Sequence, residues 1–323
     1  MAENLSTVSL NGDKGTPTGA GKRFTSLTAW EADQQGVTLN TGDISIVEGY
    51  DDFPTGLDDQ LTINGWTVDS SNRIIVRSGP QQGHGGDPEA GFFITRTTGW
   101  PIIVQNDYVT VQDVRAQVTT GSSNSAIRIL SGTDVIVERC IFVATHADAA
   151  QAGALRVLST EGGAQNLVLR NLLCVSSGSV PCHVDALTDR NYVLQNITAI
   201  STSLSSNIES VYRNNNTVNL LARFENCVAF AADPTLLGFP ADMLDGPVIN
   251  SLASHDSSAA GTNPVINIDK TAFVDFDNGN YNPAPGGPLD GVGADLTEYF
   301  TDDIIGETST QWDIGAYGII SGA

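Results

Sequence analysis

Long apolar runs are missing from this chain. No stretch approaches the roughly 18 residues that a membrane-spanning helix needs, and the opening MAENLSTVSLNGDKG lacks the apolar centre of a secretory signal. Both absences predict a protein made in the cytoplasm and kept off membranes. Positive charge is scarce as well: 15 Lys and Arg face 37 Asp and Glu, a net charge of -22 over 323 residues. That balance opposes binding to nucleic acid or to an anionic membrane surface. Cysteine is limited to Cys140, Cys174, Cys182 and Cys227, with no C-x-x-C pair. They read as reduced core residues, with no metal or redox motif specified and no cofactor implied. Helix formers are sparse, whereas Gly, Asn, Ser, Thr and β-branched residues abound, which predicts many short strands and turns.

What is present is a repeat. VTVQDVRA from Val109, VIVERCIF from Val135, LVLRNLLC from Leu167, YVLQNITA from Tyr192 and ARFENCVA from Ala222 share one register. Apolar and polar residues alternate for two steps, a turn residue follows, and an apolar residue closes the phrase. The turn column reads Asp113, Arg139, Asn171, Asn196, Asn226, with spacings of 26, 32, 25 and 30. A period in the high twenties with period-2 alternation inside it means several short strands per turn of a solenoid, stacked at about 4.8 Å. The expected fold is all-β, a right-handed parallel β-helix. Asn tolerates the left-handed backbone of a tight corner, so Asn171, Asn196 and Asn226 are expected to form a ladder of bonded amides.

A second column runs through AIRIL, ALRVL, HVDAL and NIESV, and would stack Arg128, Arg156, Asp185 and Glu209 outward on four successive turns. Two readings of it stay open. Asp185 and Glu209 could be the carboxylate pair of a glycosidase or lyase, about 5 Å apart, with Arg156 orienting a sugar carboxylate. Alternatively Arg156 pairs with Asp185 in a solvated charge ladder, worth about 0 to 1 kcal/mol per pair. His146 and His183 each open an H-x-D string, with Asp148 and Asp185, but their wide spacing specifies no metal geometry. His84 in GPQQGHGGDPEAG reads as part of a flexible turn. Tyr108, Tyr192 and Tyr212 near the turn edges are candidates for stacking on sugar rings.

The ends differ from the middle. Residues 1–22 read as a flexible arm, residues 23–230 as capping helix plus solenoid, and residues 231–323 as irregular terminal coils and a cap. Thr28 and Glu31 have the T-x-x-E spacing of a capping box, with Leu27 and Trp30 on one face of a short helix. FTSLTAWEADQQG, LTINGWTVDSSNRIIVRSGP and the closing WDIGAYGII resemble right-handed β-helix proteins of the pectate-lyase-like superfamily. Within it they look similar to a subgroup reading S-L-T-A-W-E-A near its start and W-D-I-G-A-Y-E near its end, which includes bacteriophage-encoded virion proteins. Here Gly318 stands where that pattern has an acid. The resemblance implies the fold, on a scaffold that serves lyases, glycosidases, adhesins and bacteriophage tail or capsid proteins alike; the missing signal, the acidic charge, the closed ends and the flexible arm point to a structural virion protein, on the capsid exterior or in a tail spike. Such a protein would be located in the virion, form a homo-oligomer, with a trimer favoured, and dock on capsid or tail proteins through the N-terminal arm. A polysaccharide-active enzyme or a non-catalytic glycan-binding adhesin is the alternative, with a surface polysaccharide as partner.

Overall fold

The computed structural model describes residues 3–36, 39–119, 124–145, 153–158, 166–185, 191–202, 211–213, 222–241, 244, 248–309 and 311–318, the side chains at 185, 213 and 222 excepted. The chain is a parallel β-solenoid with one α-helix, Leu27–Gln34, among the described residues. Ten strands stack in the order Arg23–Phe24, Glu3–Val8, Ile44–Gly49, Arg73–Ser78, Val109–Gln112, Val135–Thr145, Asn166–Ser177, Asn191–Ser201, Ala222–Glu225, Val248–Asn250. Beyond a corner the same sheet continues as a second flank through Phe93–Arg96, Arg115–Val118, the later halves of the long strands, Val228–Ala231 and Ala253–Ser254. A six-stranded sheet, from Leu61–Ile63 through Ile102–Val104, Ser125–Ile129, Gly153–Leu158 and Val180–Asp185 to Tyr212–Arg213, forms the third side.

The repeated phrase explains this geometry. Val111, Val137, Leu169, Leu194 and Phe224 stack in register and are fully buried, so every turn adds one aliphatic or aromatic layer to a continuous core. Asp113, Arg139, Asn171, Asn196 and Asn226 all take φ between 48° and 55°, and Ser251 and Asn263 extend the corner by two further turns. A left-handed residue reverses the facing of the chain in one step, so the apolar residue after it points inward again. Val114, Cys140, Leu172, Ile197 and Cys227 are each 0% exposed. All four cysteines are buried and unbridged.

Residues 3–22, expected as part of a flexible arm, are folded into the first rungs. Glu3–Val8 pairs with Ile44–Gly49 over six register positions and is itself sandwiched by Arg23–Phe24. Ser6, Thr7, Val8 and Ser9 are at most 1% exposed. Their small, polar composition reads as linker, yet S-T-V-S is a strand that rungs on both sides hydrogen-bond. The helix then closes this end, with Leu27 and Trp30 fully buried and Trp30 packed 5.5 Å from Trp66. Its N-cap is Ser26, which accepts from Ala29 N at 3.1 Å. Thr28 therefore sits inside the helix, and its amide donates instead to Asp59 at 2.9 Å. Glu31 is no box partner either: it accepts from the Trp66 indole and from Asn64 N at 2.9 and 3.0 Å. Burial lifts its carboxyl to about 7.

At the other end, residues 248–265 add rungs, and the chain then runs back along the outside of the second flank. Ile141, Leu173, Ile200, Val228 and Phe230 point outward there and are buried by Phe273, Phe276, Tyr281, Leu289, Ile304, Ile314 and Tyr317 in a second core. The returning strap is stitched rung by rung. Asn226 exchanges two bonds with Ala294, Asn171 donates to Asp302 O at 2.8 Å, and Arg139 bridges Asp113 and Asp302. The WDIGAY segment is its clasp: Ala316 N donates to Thr198 Oγ1 and the Tyr317 hydroxyl to Gly86 O, both at 2.9 Å. Gly315, at φ 118°, lies where a Cβ would meet Thr198 Oγ1 at 2.6 Å. The tail is thus a strap along the side more than a stopper on the last turn.

Candidate functional site

The outward column of the six-stranded sheet carries Arg128, Arg156 and His183, in a register other than the expected one. Ile103, Arg128, Arg156, His183 and Arg213 are successive partners. Asp185 stands opposite Leu158, two residues along from Arg156's partner. The stack of Arg156 on Asp185 is therefore corrected to Arg156 on His183. A slip of two preserves the in–out alternation, so periodicity alone could not separate the two registers. Glu209, His146 and Asp148 lie outside the described residues, as does the side chain of Asp185.

What this face does bring together is positive charge. Arg128 and Arg156 occupy adjacent rungs, half-buried, and the Arg128 guanidinium lies 4.5 Å from the centre of the Trp100 ring. Burial, and then the like charge of Arg156, push Arg128 below the usual arginine range. Its Nε and the Trp100 Nε1 are both buried N–H groups without an acceptor. His183, next in the column, is fully buried.

The remaining candidates have structural roles. His84 is 3% exposed, accepts from Gly86 N at 2.9 Å and meets Arg139 O at 2.8 Å, so the glycine-rich loop is pinned where a flexible turn was expected. Burial holds this imidazole below its ordinary pKa, in the neutral form that such bonding requires. Tyr192 and Tyr212 are at most 1% exposed and pack inside, unable to stack on a sugar. In the corner column Asn196 donates to Asn171 Oδ1 at 3.1 Å, while Asn226 turns to the strap. Beside the strap's end, a cleft of about 420 Å³ is lined by Asp87, Glu89, Asn278, Asn280, Ile305 and Tyr317. Among the described residues no group of three His, Cys, Asp or Glu side chains could hold a metal ion.

A longer ladder escaped the reading of the sequence. Glu48, Arg77, Gln112, Glu138, Arg170, Gln195, Glu225 and Asn250 are register partners, immediately before the corner column. Arg77 pairs with Glu48 at 2.7 Å, Arg170 with Glu138, and Gln195 with Glu225 at 2.7 Å. The polar slot in each quoted phrase was the available signal. Next to it runs an outward row of Ile46, Ile75, Thr110, Ile136, Val168, Val193, Arg223 and Val248. Ile75, Ile136, Val168, Val193 and Val248 in that row are half-buried.

No protein-family model and no curated protein matches the chain. Among solved structures, the crystal structure of pectate lyase Pel9A is similar with a TM-score of 0.48 and 9% sequence identity, covering 97% of this chain and 96% of that one. No residue role is carried across at that distance.

Proposed function

We propose that the chain is a structural component of a tailed-bacteriophage particle, on the capsid exterior or in a tail spike, working as a rigid rod assembled side by side with copies of itself. The observation that carries the assembly reading is the half-buried aliphatic row from Ile75 to Val248, parallel to the solenoid axis. Its surroundings are electrically balanced although the chain is strongly acidic. Glu48–Arg77, Glu138–Arg170 and Arg223–Glu225 are ion pairs, and Arg73 lies beside Asp134. Elsewhere like charge keeps copies apart; along this flank they can approach and bury the aliphatic row. A closed trimer satisfies such a flank on every copy. The phage assignment itself is supported by the strongly acidic charge and by a β-helix closed at its ends, a scaffold that bacteriophage tail and capsid proteins share with lyases, glycosidases and adhesins. With the first rungs built from residues 3–24, docking on capsid or tail proteins uses a folded end in place of an arm.

Two measurements test this. Quantitative mass spectrometry of purified particles should find tens to hundreds of copies for a capsid role, or a handful for a spike; absence from particles refutes the virion location. Sedimentation of the isolated protein should show an oligomer that Val168→Asp with Val193→Asp dissociates; a monomeric wild type refutes the flank as an interface.

A further inference from the structure

We propose that the outer face of the six-stranded sheet, at Trp100, Arg128 and Arg156, is a docking site for an acidic segment of a protein partner. Arg128 carries the argument. In a chain of net charge -22 its guanidinium has the Trp100 ring on one side and a second arginine on the next rung. That arrangement costs free energy, because the charge of Arg156 on the next rung disfavours that of Arg128 and neither the Arg128 Nε–H nor the Trp100 indole N–H has an acceptor. All the unfilled groups are donors. The complement is an acceptor bearing negative charge, and a carboxylate answers the guanidinium with paired hydrogen bonds.

Three features favour a peptide over other anions. The site is the outward side of a sheet rung, a surface suited to another protein more than to a small molecule enclosed on all sides. Trp and Arg are the residues that dominate the centres of protein interfaces. The unanswered donors are those of one guanidinium and one indole, so they match a carboxylate, while the acidic remainder of the chain repels a dense polyanion. This inference is independent of the aliphatic flank, which lies on another side of the solenoid.

The test uses the full chain at about 0.15 M salt, where the overall repulsion is screened beyond roughly 8 Å but a contact pair is not. The probe is a short peptide, blocked at both ends and labelled, with two adjacent glutamates between neutral residues; binding is read by fluorescence anisotropy. Arg128→Gln should weaken binding by about ten-fold or more, as expected for loss of a charge-assisted bond. Arg128→Lys should retain part of it, since the point charge stays and the fork is lost. Trp100→Phe, which keeps the ring and removes the N–H, should weaken it by about three-fold. Arg77→Gln, in a residue already paired with Glu48, should leave it unchanged. Circular dichroism verifies that each variant folds. Absence of peptide binding overturns the proposal. So does equal loss in Arg77→Gln, competition by inorganic sulfate at the peptide's own concentration, or tighter binding of an acidic polysaccharide than of the peptide.

Discussion

Asn196 and Asn226 occupy the same corner on neighbouring turns, with φ of 52° and 53°, and both are fully buried. Their side chains are nevertheless in opposite situations. Asn226 is satisfied twice over, donating to Ala294 O at 2.9 Å and accepting from Ala294 N at 2.7 Å. Asn196 donates once, to Asn171 Oδ1 at 3.1 Å, and its own Oδ1 is buried without a partner. Replacing each by Gly separates the two situations, since Gly accepts the left-handed backbone without strain. At Asn196 one acceptor is orphaned, Asn171 Oδ1, while another, Asn196 Oδ1, is removed. The tally of unsatisfied groups is unchanged, and the cost is one net hydrogen bond, about 1 kcal/mol or less. At Asn226 two bonds are lost and the Ala294 peptide is left to find water, a cost of about 2–3 kcal/mol. The volume removed is the same in both, so the cavity contribution cancels in the comparison.

The assay is denaturant unfolding of the two variants, read as unfolding rates if the transition is not two-state. Asn226→Gly should also speed nicking of the strap near residue 294 by a protease, and Asn196→Gly should not. The corresponding Ala variants should each lose about 1–2 kcal/mol more than Gly, the cost of a left-handed L-residue. Equal losses for Asn196→Gly and Asn226→Gly would refute the hydrogen-bond accounting; Ala matching Gly at both would refute the claim that the corner is strained.

Glu31 titrates at about 7 in the folded protein because burial disfavours its charge, against about 4.5 ordinarily, so the folded state binds the proton more tightly. Its ionisation penalty therefore sets in as pH rises above about 4.5 and is complete above about 7, lowering stability by about 3 kcal/mol. Asp313, raised to about 7 by the same cause, adds a second step of like sign. Glu31→Gln should flatten part of the decline in unfolding midpoint between pH 5 and 8, and an unaltered decline would contradict this assignment. Arg139 is held above the ordinary arginine range: burial opposes its charge, but Asp113, Glu138 and Asp302 outweigh that. Arg139→Ala leaves part-buried carboxylates facing one another, and should cost about 2–4 kcal/mol and expose the strap near Asp302 to protease. Burial pushes the Cys227 thiol up to about 12 and the other three cysteines higher, so native protein should resist iodoacetamide and take up four equivalents only when unfolded.

The interior of this fold was legible and its wrapping was not, for a physical reason. Each turn must fill the same space, so Val111, Val137, Leu169, Leu194 and Phe224 repeat, and each corner must reverse the chain, so Asn recurs at φ near 53°. The strap obeys no such period. Phe273 and Phe276 pack against Phe230, and Tyr281 against those two, in one aromatic cluster that no other described rung repeats, and nothing in NPAPGGPLD announces which outer flank it will cross. The first strand was hidden in the same way, because Ser6 and Thr7 are buried polar residues whose register partners, Val47 and Glu48, lie on another rung. The segments that carry the family resemblance turn out to be closures: Trp30 and Glu31 around Trp66 at one end, Trp312 to Tyr317 clasping the side. They report how the solenoid is shut and are silent on what it touches.

Contact with partners belongs instead to the outward columns, and there alternation is a weak guide. A strand slipped by two residues keeps the same faces in and out, but moves a side chain by roughly 6.6 Å along the sheet. With HVDAL aligned to ALRVL at Asp185, Arg156 and Asp185 share one column, as in a neutral ladder. In the observed register Arg156 lies between Arg128 and His183. The rungs that fix the fold thereby hold two arginines on adjacent rungs beside Trp100, and leave the Arg128 Nε–H without an acceptor in a chain of net charge -22.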